Sequence, residues 1–349
     1  MWHTGAVGGG VTVPWEDPVA LEAGAPVPVV VTVAVPLPSG THEELEAVDP
    51  RLRVQLVAPA HRPFLRAGGG SADDPAAREL AQMLAGAEVV LSAFEAPADL
   101  PQRAPKLRWF HTFSAGIEQY ARAGYLSAGF MVSNGSGPTA VPIAEYCLMT
   151  MLMLSKSAPG YVRQQSAHRW DRNLPGGELR GKTVGIVGLG QIGSETARLA
   201  RAFGCRVIGL RRSVDEARED TDGVDLLLPT RDLPRLLSES DIVVLAAPAT
   251  PETVALISAE TIGLMKPSAI LINIARGSMV DQTALAEALT SGRLAGAALD
   301  VTDPEPLPAD SPLWDVPNVF VTPHISGASE HFVRRQLDLA KENLRGLQP

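Results

Sequence analysis

The chain has 349 residues, is 45% hydrophobic and 20% charged, and carries a formal net charge of −9. At ~150 residues per domain that length suits two globular domains, and the acidic balance speaks against nucleic acid or an anionic membrane as the main partner. The two cysteines, Cys147 and Cys205, are far apart, with no CxxC and no neighbouring histidine set. Neither a disulfide framework nor a metal site is expected, and a reducing, cytoplasmic setting is the default.

Residues 1–26 are rich in Gly, Pro and Ala and show no period. They lack the basic patch and apolar core of a signal peptide and are read as an N-terminal extension. The first strand is expected from Val27, in the β-branched run VPVVVTVAV. Helical stretches follow at Thr41 to Ala47 and Pro75 to Ala85, with strand-like runs at Leu52 to Val57, Glu88 to Leu91, Leu107 to His111 and Phe130 to Val132. A long helix is expected over Ala140 to Ser157. Its apolar stretch, Val141 to Leu154, is 14 residues long and contains Glu145. A membrane span needs about 20 residues, so this reads as a buried helix. After the loop Leu174 to Gly181 come strands at Thr183 to Val187, Arg206 to Leu210, Asp225 to Leu228, Ile242 to Ala246, Ala269 to Ile274, Leu294 to Leu299 and Asn318 to Val321. Helices are expected at Gln191 to Phe203, at Gln282 to Thr290 behind an Asp281 N-cap, and at Ser329 to Leu347. Strands alternating with helices imply βαβ units and parallel sheets, hence two α/β domains.

The segment KTVGIVGLGQIGSETARLARAFG carries GxGxxG at Gly188, Gly190 and Gly193. Alone the pattern is weak, but here it follows a strand and opens a helix, the context a dinucleotide needs. Gly188 permits the tight turn, Gly190 leaves room for a pyrophosphate, and Gly193 lets helix and strand pack closely. Gln191 and Ile192 lie at the helix N-terminus, whose N–H groups and dipole favour phosphate. The next strand ends in Arg211, Arg212 and Ser213, with no carboxylate before Asp215. An acid there would grip the ribose 2′-hydroxyl of NAD; two cations and a hydroxyl suit a 2′-phosphate. NADP(H) is therefore expected to be preferred, with NAD(H) possible through Asp215 or Glu216.

Three polar residues stand just past apolar runs of the same half: Arg276 in NIARGS, Glu305 in DVTDPEPLP and His324 in VTPHISG. In a doubly wound sheet the C-terminal strand ends form the ligand crevice. A guanidinium there can bind a carboxylate bidentately and polarise a neighbouring carbonyl. An imidazole can exchange a proton near neutral pH, and a carboxylate beside it would favour imidazolium and fix the ring. Asp303 rivals Glu305 for that last role, and composition leaves the two open.

The segments LRWFHTFSAGIEQY, ELRGKTVGIVGLGQIG, PETVALISAETIGLMKPSAILINIARGSMVD and AALDVTDPEPLPADSPLWDVPNVFVTPHISG together resemble the D-isomer-specific 2-hydroxyacid dehydrogenase family, in the style of its glyoxylate and hydroxypyruvate reductases. The resemblance covers roughly residues 107–330. It implies two doubly wound parallel-sheet domains: a Rossmann cofactor domain, 136–324, and a flavodoxin-like substrate domain, 27–135, completed by 325–349. It implies that Arg276 binds substrate, Glu305 rather than Asp303 tunes the histidine, and His324 is the acid/base. Ala115 and Gly116 match the loop whose N–H groups hold the substrate carboxylate, and Asp300 matches the aspartate at the nicotinamide carboxamide. Pro248, Thr253, Ile274 and Ala275 fall in the cofactor-binding segments. Relatives are usually homodimers with the active site in a cleft that closes over a small 2-oxoacid. Trp170 resembles an interface tryptophan that in some relatives reaches a partner's site. Glu118 stands where many relatives have Asp, and Thr302 where Phe is usual. Two alternatives stay open: a formate- or phosphite-type dehydrogenase, and a nucleotide-sensing, corepressor-like binding protein on the same scaffold.

Overall fold

The computed structural model describes residues 25–33, 37–66, 73–93 and 96–346. The expected N-terminal extension up to residue 24 lies outside them, as do the end of the 27–35 run and the last residue of the expected C-terminal helix. Contacts divide the chain into two compact units: residues up to Thr139 together with those from Ser329 on, and Ala140–Ala328. The divide falls at 139/140 and 328/329, against 135/136 and 324/325 expected from the sequence.

The first unit holds β1 (Val27–Val33), β2 (Leu52–Leu56), β3 (Val89–Ala93), β4 (Trp109–Thr112) and β5 (Met131–Asn134). They form a parallel sheet in the order β2-β1-β3-β4-β5, the flavodoxin-like order, whose connections reverse between β1 and β3. β3 and β4 are buried along their whole length, so they read as continuous apolar runs rather than alternations. The C-terminal helix Phe332–Arg345 buries Gln336, Leu337, Ala340 and Leu344, one stripe at helical spacing. The leucines and the alanine pack on Val27, Val29 and Trp109.

The second unit holds β6 (Thr183–Val187), β7 (Arg206–Leu210), β8 (Arg218–Thr221), β9 (Val224–Leu228), β10 (Ile242–Leu245), β11 (Ile270–Asn273), β12 (Gly296–Leu299) and β13 (Val319–Val321). Their order is β13-β12-β11-β10-β6-β7-β9-β8, parallel throughout except at β8. The connections reverse between β6 and β10, which puts the ligand crevice of a doubly wound sheet at the ends of those strands. The chain is thus a mixed α/β protein of two parallel-sheet units, as expected.

Two differences from the sequence reading have local causes. The helix expected to run through Ser157 stops at Ser155. Ser157 takes a left-handed conformation (φ 53°) and Pro159 opens a separate helix, Ala158–Ser166, as proline in a first turn permits. β8 was not expected at all. Its residues, REDT, are exposed but for a half-buried Thr221, so no apolar period marks it; the charges suit an edge strand.

Candidate active site

The glycine turn follows β6 directly. Gly188 has φ +99°, and a β-carbon there would stand 2.8 Å from the Ala247 backbone beyond β10. At Gly193 a β-carbon would overlap the Gly188 carbonyl. At Gly190 it would meet nothing within 4 Å, so the turn opens on unfilled space before the helix Gln191–Ala202. The first N–H groups of that helix have no partner within it, and its dipole presents positive charge. These residues fit a dinucleotide pyrophosphate. Pro248 and Thr253 lie in the segment after β10, where the Thr253 hydroxyl donates to the Pro248 carbonyl (3.0 Å) and accepts from Thr250 N–H (2.8 Å). Arg211, Arg212 and Ser213 follow β7 and are exposed. Arg211 Nη1 donates to Asp222 Oδ2 at 3.2 Å. A carboxylate thus meets the Arg211 side chain, one that the linear sequence does not place there.

Arg276, Glu305 and His324 follow β11, β12 and β13, which are neighbours in the sheet. Ile274 and Ala275 are buried. Asn273 braces the turn from both sides: its Oδ1 accepts Ala275 N–H (3.1 Å) and its Nδ2 donates to the Arg276 carbonyl (2.9 Å). Arg276 Nη1 donates to the Ala275 carbonyl at 2.7 Å. A β-carbon on Gly277 would overlap the Thr302 carbonyl and stand 2.5 Å from Asp303 N. Gln282 Nε2 donates to the Asp303 carbonyl. The loop bearing Arg276 is therefore seated on the loop bearing Glu305.

His324 Nδ1 lies 3.1 Å from Glu305 Oε2, the two side chains being 53% and 41% exposed. Glu305 Oε1 accepts Thr302 N–H at 3.2 Å. Of the two acids that composition left open, Glu305, the one the resemblance implies, is on the imidazole, while Asp303 contributes its carbonyl to Gln282. His324 has φ +55°, a left-handed conformation that costs a non-glycine residue energy and persists only where neighbours enforce it. The enforcing group is Asp300. It is 1% exposed. Its Oδ1 accepts from the Thr322 hydroxyl (2.6 Å) and Ile325 N–H (2.8 Å), its Oδ2 from Ser326 N–H (2.9 Å), and its carbonyl from His324 N–H (2.8 Å). Tyr146 extends the network through its hydroxyl, 2.7 Å from Thr322 Oγ1. Burial raises the Tyr146 phenol above its ordinary range, so it acts as a neutral donor. Burial also pushes the neighbouring Cys147 thiol up to about 12, which leaves it packing as an apolar group rather than a nucleophile. Asp300, expected at a nicotinamide carboxamide, is here engaged by the loop that carries His324.

Ala115 and Gly116 lie in the other unit, after β4. Carbonyls of this loop turn inward: Phe113 O accepts from Gln336 Nε2 (2.9 Å) and Ala115 O from Asn134 Nδ2 (2.7 Å). Among the described residues the N–H groups of Ala115 and Gly116 take no hydrogen-bond partner. Trp170 is 89% exposed.

The family model for the D-isomer specific 2-hydroxyacid dehydrogenase NAD binding domain matches residues 148–326. The chain belongs to the D-isomer specific 2-hydroxyacid dehydrogenase family. A glyoxylate reductase of Thermofilum pendens is 36% identical over 252 residues, 71% of this chain and 74% of that protein. A D-3-phosphoglycerate dehydrogenase of Methanocaldococcus jannaschii is 33% identical over 258 residues, 74% of this chain but 48% of that protein. The chain thus spans about half the length of the first curated relatives it matches. The crystal structure of a D-isomer specific 2-hydroxyacid dehydrogenase from Xanthobacter autotrophicus Py2, in complex with NADPH and MES, superposes with a TM-score of 0.74 at 30% identity, covering 93% of this chain and 96% of that one.

For this 2-hydroxyacid dehydrogenase homologue, the sequence reading missed the supporting residues Asn273, Thr322, Tyr146 and Gln282. Asn273 carries a usable signal, a lone amide ending the apolar run AILIN. Thr322 and Tyr146 carry none, because they meet only in the folded sheet. Asp300→Asn should destabilise the protein by about 1–3 kcal/mol, since one buried oxygen becomes a donor facing donors, and should lower turnover by loosening the His324 backbone. A variant with native melting temperature and kcat would remove Asp300 from this role.

Proposed function

We infer that this chain reduces a small 2-oxoacid of the glyoxylate or hydroxypyruvate type to the D-2-hydroxyacid, reversibly, with NADPH preferred over NADH. The observation that carries the reading is the His324–Glu305 contact of 3.1 Å at the C-terminal edge of a sheet with a dinucleotide turn. With the Nδ1 proton held by Glu305, Nε2 is the atom that exchanges a proton with the substrate oxygen. Glu305 offsets the charge that the ring gains and keeps its orientation. Arg276 binds the substrate carboxylate through its planar fork and polarises the adjacent carbonyl. The N–H groups of Ala115 and Gly116 are assigned as donors to a substrate carboxylate. When bound, the nicotinamide cofactor supplies the hydride for reduction and takes it back in oxidation. Gly188, Gly190, Gln191, Ile192 and Gly193 would hold its pyrophosphate. Pro248, Thr253, Ile274, Ala275 and Asp300 would line its nicotinamide half, and Arg211, Arg212 and Ser213 would receive the 2′-phosphate.

In this reading Ala140–Ala328 is the cofactor domain and the other unit the substrate domain. The protein works as a cytoplasmic homodimer, for which the exposed Trp170 offers an apolar contact. No helix among the described residues is long and apolar enough to cross a membrane. The NADPH preference is supported by the two arginines after β7 and by the NADPH bound to the Xanthobacter relative.

The test is a panel of glyoxylate, hydroxypyruvate, pyruvate, D-3-phosphoglycerate, formate and phosphite, each assayed with the NADP and NAD cofactors in the appropriate direction. The highest kcat/KM is expected for glyoxylate or hydroxypyruvate with NADPH. Tight NADPH binding without turnover of any 2-oxoacid would instead identify a nucleotide-sensing protein.

A further inference from the structure

The fold holds a carboxylate from 11 residues further along the chain against the side chain of Arg211, which follows β7. β8 and β9 form an antiparallel hairpin in which Thr221 pairs with Val224. Its two turn residues, Asp222 and Gly223, have φ +52° and +76°, the positive values of a type I′ connection, for which Asp-Gly is a favoured pair. The hairpin is tied to the rest of the sheet beside its turn and at the far end of β9. Asp225 Oδ2 accepts Val207 N–H of β7 at 2.7 Å, and Arg201 Nη2 lies 3.7 Å from Asp220 and 3.5 Å from Asp225. Arg211 N–H donates to the Leu228 carbonyl at the end of β9 (3.0 Å). With both ends fixed, the turn presents the Asp222 carboxylate to Arg211 Nη1 at 3.2 Å. Arg212, by contrast, has no carboxylate within ion-pair distance among the described residues.

The two arginines thus differ. Arg212 offers its charge, whereas Arg211 already holds a competing anion. We propose that Asp222 is a specificity-determining residue of the cofactor site, competing with the 2′-phosphate of NADPH for Arg211 and thereby narrowing the preference for NADPH over NADH. The proposal rests on the reading that Arg211 receives the 2′-phosphate. A phosphate near Arg211 must displace the carboxylate or share the guanidinium with it, and at short range the two anions repel. NADH, with a neutral hydroxyl there, meets no such repulsion. Asp222 therefore lowers affinity for the phosphorylated cofactor alone.

Asp222→Asn is the decisive variant, because Asn-Gly is also favoured in a type I′ turn and the backbone is preserved. Dissociation constants for 2′,5′-ADP, NADPH and NADH would be measured by titration without turnover, for the native protein, Asp222→Asn and Arg211→Ala. In Asp222→Asn, 2′,5′-ADP and NADPH should bind about threefold more tightly, within the span measured for exposed ion pairs, and NADH should not tighten. The gain should shrink in 1 M KCl, where the Debye length is about 3 Å. Unchanged or weaker binding of 2′,5′-ADP would overturn the proposal and make Asp222 a support for Arg211. Equal tightening of NADH and NADPH would overturn it as well. If Arg211→Ala weakens 2′,5′-ADP while Asp222→Asn changes nothing, only this proposal fails. If Arg211→Ala also changes nothing, the placement of the 2′-phosphate fails with it.

Discussion

His324→Asn should reduce kcat for 2-oxoacid reduction by about 10²–10⁴-fold, the usual contribution of a positioned proton donor, with the Kd for NADPH within about twofold of native, as for a residue acting in the chemical step rather than in binding. Asparagine is the informative replacement. Residue 324 has φ +55°, a region that Asn tolerates and Ala resists. His324→Ala removes the imidazole and also strains the loop, so its loss of activity mixes two causes. Asn removes the imidazole and leaves the backbone content. The two variants should therefore share the loss of turnover, with the melting temperature falling further for Ala. Stopped-flow reduction at saturating NADPH, together with thermal melts, separates the effects. An Asn variant retaining more than a tenth of native kcat would show that the proton comes from elsewhere.

Gly277→Ala should be among the most damaging single-methyl changes in the second unit. The added carbon would overlap the Thr302 carbonyl and lie 2.5 Å from Asp303 N, and backbone cannot rotate away as a side chain can. Overpacking costs about 1–3 kcal/mol, occasionally more, and here the only relief is to push the 302–305 loop off the Arg276 turn. That motion carries Glu305, whose Oε2 is 3.1 Å from His324. A misplacement of roughly 1 Å can cost about 10²-fold in rate. Gly277→Ala is thus expected to lower both melting temperature and kcat/KM, with NADPH binding affected less because the glycine turn is on another strand. Native kcat/KM in a folded Gly277→Ala variant would mean that the seating of these loops does not matter to the site.

Much of the arrangement was legible in the chain because its signals are local. VPVVVTV reads as a buried strand, and TVGIVGLGQIG as a strand, a tight turn and a helix start, from residues within a few positions of one another. Arg276 and His324 could be picked out because each is a polar residue closing an apolar run. β8 escaped because its four residues carry no apolar period, although the TDGV turn that precedes β9 is a hairpin signal in its own right. The break at Ser157 escaped because the apolar stretch before it continues without interruption.

By itself the sequence determined the α/β class, the phosphate turn and the residue types available at the strand ends, since backbone propensity, burial pattern and glycine geometry act over short stretches of chain. The tertiary structure alone decided that Asp300 closes on the 322–326 loop and that Asp222 stands against the Arg211 side chain. Those are contacts between residues remote in sequence. They depend on which strands lie side by side and on where each loop turns back, and those features come from the packing of the whole sheet rather than from any one segment.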